Sequence, residues 1–204
     1  MVLLKVKDGK VPMVQGRSRY EIERLADRIV ARFYQEVIQH PQPVPVETFL
    51  ELVLPRVFKI DVGVQEDFPP GVEGAMEPRN RRGLPEIVLA SHVYDQLYDG
   101  VPRARFTAAH ESGHGILHAR ELQGRLLEAT APTLHREEET PRYRNPEWQA
   151  NTFAGTLLMP TPAVKALVLL KGADPLHLAK TFNVSPDAAR TRLHYLLKGG
   201  GLRT

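Results

Sequence analysis

Residues 105–118, Arg105-Phe106-Thr107-Ala108-Ala109-His110-Glu111-Ser112-Gly113-His114-Gly115-Ile116-Leu117-His118, decide what the rest of the chain has to build. Apolar residues recur along residues 106–118 at helical intervals despite Gly113 and Gly115, so this stretch is predicted as a helix. His110 and His114 then lie on one face, one turn apart, where both imidazoles reach a single ion. Glu111 is offset by about 100° around the helix, so its carboxylate reaches a water on that ion without being a ligand itself. Zinc lowers the pKa of such a water to about 7, and the carboxylate takes its proton as it attacks a peptide carbonyl. A chance match to this spacing is the bland alternative, and helical context plus a further ligand argue against it. The extended metzincin pattern fails, because Leu117 and Arg120 stand where it needs glycine and histidine.

A third ligand is required, and the chain contains no cysteine, so it must come from His, Asp or Glu. Asn145-Pro146 forms a good helix cap with proline at the first helical position, and Glu147 opens the helix it starts. Asn151 follows one turn later on the same face, where its carbonyl can accept the outer ring N–H of a zinc-bound histidine. Glu147 is therefore the leading third ligand, although an acidic residue is favoured in any first helical turn. His118 and His135 are its rivals. His118 lies two turns from His110 and reads as a core or outer-partner histidine.

Outward from these residues, the composition is that of a globular protein: 204 residues, 42% hydrophobic and 25% charged, enough for one sizeable core. The net charge of +3 permits an acidic partner, but the basic residues form no tract. Val2-Leu3-Leu4 runs at once into Lys5 and Lys7, which is no signal segment, and the apolar run at 163–170 is interrupted by Lys165 and too short to cross a bilayer. A cytoplasmic protein with no membrane partner is expected.

Ser18 and Glu21 form a capping box, and Ile22, Leu25, Ile29, Val30, Phe33 and Val37 recur at helical spacing, predicting one amphipathic helix over 19–38. A second, over 46–54, should stop before Pro55. Residues 58–64 alternate as a strand, 86–90 form a compact apolar strand, and 72–78 lie between them as a third. Residues 123–145 hold Pro132, Pro141 and Glu137-Glu138-Glu139, and read as a long exposed loop. Near the C-terminus, Leu178, Ala179 and Phe182, a turn at 183–186, then Ala189, Leu193, Leu196 and Leu197 make a helix-turn-helix pattern. Its Arg190, Arg192, His194 and Lys198 suggest DNA contact through 176–198, against the alternative of a packing unit that never touches DNA. The expected fold class is α+β: a small mixed β-sheet packed on the zinc-site helices, with a metallopeptidase core over 1–160 and a helix-turn-helix-like unit over 161–204.

The stretch 105–114, followed by Glu147-Trp148-Gln149-Ala150-Asn151 and Phe153-Ala154-Gly155-Thr156-Leu157-Leu158-Met159-Pro160, resembles the ImmA/IrrE metallopeptidase family. The likeness is strong over 87–160 and weaker, though in the same order, over 18–197. It implies that His110, His114 and Glu147 bind Zn2+ and that Glu111 is the catalytic base. It also implies a protein substrate of the helix-turn-helix repressor class, cut in a stress or mobile-element response. Ser112 stands where that family commonly has leucine, and the loop before Glu147 is long. Some longer relatives carry an extra C-terminal sensory domain, and none is expected in this chain. The strand at 86–90 is expected to receive an extended substrate segment by edge pairing. A DNA-binding regulator, a non-catalytic adaptor and a toxin–antitoxin component are the other readings.

Overall fold

The structure is a computed structural model that describes residues 10–128 and 134–198. The reading of the N-terminal stretch 2–7 and the centre of the expected 123–145 loop lie outside these residues. At the middle of the fold is helix α5 (Pro102–Leu127), 26 residues long, which carries the whole quoted stretch. It runs past Gln123 because its last turns have partners: Arg125 donates to the Met13 carbonyl at 2.9 Å and pairs with Glu121, and Leu122 packs with Met76.

Across α5 lies α6 (Pro146–Leu158). Asn145 caps it by accepting the N–H groups of Glu147 and Trp148, with Pro146 at the first position. Gly113 makes the close approach of the two helices possible. A Cβ there would stand 3.1 Å from the Ala150 Cα and 3.2 Å from the Phe153 ring, tighter than real side chains normally pack. Ser112, buried beside it, donates to the Ala108 carbonyl at 2.7 Å, so its hydroxyl is satisfied within the helix.

On the other side of α5 sits a mixed sheet of β2 (Asp61–Gln65), β3 (Gly74–Glu77) and β4 (Glu86–Ala90), in the order β2-β4-β3. β4 is parallel to β2 and antiparallel to β3. The α+β class and the three strands are as the alternation predicts. The expected edge role of 86–90 is overturned: β4 is the central strand, its ladder groups engaged on both sides, so it has no edge to offer. The edge strand β3, with Gly74 against Glu111, is the strand of this sheet that lies beside the quoted stretch.

Two helical expectations also change. The run over 19–38 breaks at Tyr34, whose φ of −141° and ψ of 49° end α1 (Arg19–Phe33) and start α2 (Gln35–Gln39). Packing of α2 on the helix over Thr161–Lys171 outweighs the periodicity. The helix from Val46 does not stop at Pro55. It opens as α3 (Val46–Thr48) and widens into a π-helix over Phe49–Phe58, whose broader winding takes the proline ring away from the carbonyl it would strike in an α-helix. The segment before α6 is less open than a loop. β5 (Leu134–Arg136) pairs antiparallel with β1 (Lys10–Pro12), two 3-10 turns follow, and Thr140 and Asn145 are buried.

After α6 come α7 (Thr161–Lys171), α8 (Pro175–Phe182) and α9 (Pro186–Lys198), the last two joined through Asn183 at φ 51°. Arg105 holds that turn by donating to the Asn183 carbonyl at 3.2 Å and to the Val44 carbonyl at 2.9 Å. One hydrophobic cluster runs from Ile22 through Leu157 to Leu196, on both sides of residue 160. Arg192, expected among the DNA-facing residues, is instead buried. Its guanidinium donates to the Met159 carbonyl at 3.1 Å, Thr161 Oγ1 at 2.7 Å and Glu23 at 2.6 Å, tying α9 to α7 and α1. No single helix among the described residues is long and apolar enough to cross a membrane.

Removing this buried guanidinium leaves Glu23 and two oxygen acceptors short of a partner. Arg192→Ala is therefore expected to lower stability by about 3 kcal/mol, read as an earlier midpoint in urea unfolding. An unchanged midpoint would show that Arg192 is not holding the C-terminal helices in place.

Candidate metal centre

His110 and His114 project from α5 one turn apart, and Glu147, in the first turn of α6, meets them. The two histidine Nε2 atoms are 3.0 Å apart. Glu147 places one carboxylate oxygen 3.3 Å from the His110 Nε2 and the other 3.4 Å from the His114 Nε2. One donor atom from each of the three residues lies within 4.8 Å of the others, a group that could hold a metal ion. His118 and His135 are not in it.

The outer faces of both histidines are engaged. His110 Nδ1 lies 3.0 Å from Asn151 Oδ1, an atom that can only accept, so Nδ1 carries a hydrogen, and in the neutral ring Nε2 holds the lone pair. Phe106, one turn back, stacks on the His110 ring at 6.4 Å between centroids. His114 Nδ1 faces His118 Nδ1 at 3.1 Å, and His118 Nε2 faces Gln149 Oε1 at the same distance.

Electrostatics match a cation. Burial by itself would raise the Glu147 pKa, but hydrogen bonds and charge from His110 and His114 hold its carboxyl far below the usual range. Burial opposes a charged His110, yet Glu147 and Glu111 beside it raise its pKa overall. His118, fully enclosed, is driven well below the ordinary imidazole value by burial and by His114. Two nitrogen lone pairs and a carboxylate directed at one point repel one another unless a proton or a cation lies between them. Imidazole and carboxylate donors, with no thiolate, suit a borderline divalent ion such as zinc.

Glu111 is 7% exposed and lies on the side of α5 that faces β3. A Cβ at Gly74 would come within 2.8 Å of the Glu111 Cγ, so a side chain at 74 would displace the carboxylate. The nearby Glu73 accepts from Thr107 at 3.1 Å and Arg103 at 2.9 Å, which fixes β3 along the helix. Toward solvent, a cavity of about 960 Å3 opens beside Glu147 and Asn151, bordered by Glu137, Arg142 and Tyr195.

The structure thus brings His110, His114, Glu147, Glu111 and Asn151 into one place. Three contributors were not singled out from sequence. Gly74 falls inside the strand expected over 72–78, where a lone glycine marks close approach by a neighbour. Gly113 was read only as tolerated in the helix. Gln149 carries a detectable signal, a polar side chain one turn before Phe153 on the buried face of its helix.

An α+β fold with a His-His-Glu group on two crossing helices, and a glutamate next to the first histidine, defines a metallopeptidase-like domain. Residues 97–194 match the Peptidase M78 family model, the IrrE N-terminal-like domain. This part of the chain, which takes in both site helices and most of the C-terminal pair, is accordingly similar to the ImmA/IrrE family. A solved structure titled Mycobacterium tuberculosis transcriptional regulator shares the fold with a TM-score of 0.54 at 16% identity. It covers 85% of this chain, whereas this chain spans 46% of it, less than half its length. No curated protein matches the sequence.

Purified protein should bind about one zinc ion per chain, and His110→Ala or His114→Ala should abolish tight binding. Glu147→Ala should weaken it severely. Elemental analysis showing Glu147→Ala replete with zinc would remove Glu147 from the ligands.

Proposed function

We propose that this protein is a zinc-dependent metalloendopeptidase. The observation that carries the reading is the position of Glu111, buried against β3 and adjacent in sequence to His110 in the metal-capable group. His110, His114 and Glu147 would hold the ion. Zinc, when bound, supplies a Lewis acid that acidifies a water and polarises a carbonyl.

Glu111 is placed to accept a proton from the attacking water and to return it to the departing amine, and its burial limits competition from solvent. The outer hydrogen bond from His110 to Asn151 keeps that imidazole's lone pair inward. An extended substrate segment would pair with the open edge of β3, which runs beside Glu111, in place of the 86–90 strand. Kinship with the ImmA/IrrE family supports a helix-turn-helix repressor as the protein substrate, cleaved in the cytoplasm during a stress or mobile-element response. DNA contact through 176–198 would have to rely on Arg190, His194 and Lys198, since Arg192 is held inside, and Arg190 would first have to leave its pairing with Asp187.

Glu111→Gln is expected to fold, retain zinc and bind substrate, because glutamine keeps the size and hydrogen-bonding reach of the side chain. It cannot accept the proton, so cleavage of a co-encoded helix-turn-helix repressor should fall by at least about 10²-fold. Full activity in zinc-loaded Glu111→Gln would remove it as the base, and loss of zinc would place it among the ligands.

A further inference from the structure

His118 is absent from the group of metal-capable side chains, yet with Gln149 it makes an unbroken polar chain from the candidate metal centre to the backbone of two separate segments. We propose that this chain is a positioning relay in which two backbone carbonyls dictate the tautomer of His114, so that its Nε2 lone pair is presented to the metal. The inference rests on the metal-binding reading for what Nε2 faces and does not require peptide cleavage.

The direction of every hydrogen bond follows from its far end. The carbonyls of Gln15 and Tyr143 can only accept, and both take the Gln149 amide nitrogen, at 2.9 and 2.7 Å. Both hydrogens of that amide are then used, and its Oε1 must be the atom directed at His118. Oε1 can only accept, so His118 Nε2, 3.1 Å away, carries a hydrogen. His118 is 0% exposed, and a buried imidazole is neutral unless an anion meets it. Its other nitrogen, Nδ1, therefore holds a lone pair. That lone pair lies 3.1 Å from His114 Nδ1, which must donate to it. With its hydrogen on Nδ1, neutral His114 has its lone pair on Nε2, the atom 3.4 Å from Glu147 and 3.0 Å from the His110 Nε2.

The far end of the relay is itself anchored. Arg17 donates its backbone N–H to the Tyr143 carbonyl at 2.8 Å, Val14 donates to the Arg144 carbonyl at 3.1 Å, and the Gln15 N–H reaches Glu121 on α5 at 2.9 Å. The segment after β1 and the turn before α6 are thus fixed to each other and to α5. His110 is oriented by one short contact to Asn151 on α6, whereas His114 is oriented through His118 and Gln149, the latter on the same helix, from the backbone of two further segments.

The test uses full-length protein labelled with nitrogen-15 and, as the only ligand, zinc. In the metal-free protein, long-range proton–nitrogen spectra should show His118 as the Nε2–H tautomer and His114 as the Nδ1–H tautomer; the reverse assignment at either ring overturns the relay. Outer-shell partners of metal-bound histidines typically contribute roughly 10–100-fold in metal affinity. His118→Leu, which leaves His114 Nδ1–H without an acceptor, should lose affinity in that range by chelator competition. His118→Gln supplies one acceptor and one donor in the same order and should restore it. Equal zinc affinity of His118→Leu and the parent protein, or failure of His118→Gln to recover, would reduce His118 to a packing residue. If parent protein binds no zinc, the metal reading fails, while the tautomer spectra still decide whether the relay exists.

Discussion

The close crossing of α5 and α6 at Gly113 is the constraint on which the site depends. His110 and His114 come from one helix and Glu147 from the other, and their donor atoms meet only because the backbones approach within the reach of a missing side chain, 3.1 Å from a hypothetical Cβ to Ala150. A residue of ordinary size there would push α6 outward and open the group. The same crossing brings Asn151 to the outer nitrogen of His110 and Gln149 to His118, so ligands and their supports arrive on one rigid pair of helices.

Around that crossing the remaining elements act as braces. β3 lies on one side of α5 and leaves room for Glu111 at Gly74. The C-terminal helices are joined to the N-terminal half by two buried guanidiniums: Arg105 reaches the carbonyls of Val44 and Asn183, and Arg192 reaches Glu23, Thr161 and Met159. Arg105 opens the R-F-T segment before His110 and His114, and its part here is structural. What resembles a DNA-reading unit in sequence is packed here as part of the same core.

The grouping of His110, His114 and Glu147 was legible because a metal site needs fixed spacing: histidines four apart on a helix, and a capped helix opening on a glutamate. The three-stranded sheet was legible from alternation, though strand order was not, because nothing in the apolar run at 86–90 distinguishes a central strand from an edge. The break at Tyr34 and the π-helix through Pro55 answer to packing partners distant in sequence, which local periodicity does not register. His118 could be placed near the site but not given a partner, since its neighbour Gln149 lies 31 positions away. The burial of Arg192 depends on Glu23, 169 positions distant, and a sequence read locally makes it a surface cation.

The central claim is that two imidazoles and one carboxylate from this crossing hold the metal. X-ray absorption at the zinc edge of the zinc-loaded protein addresses it directly, since imidazole nitrogens scatter distinctively through their rings. The expected spectrum contains two imidazoles, with the remaining ligands oxygen. A spectrum requiring three imidazoles would contradict that assignment, and one requiring none would place the zinc elsewhere.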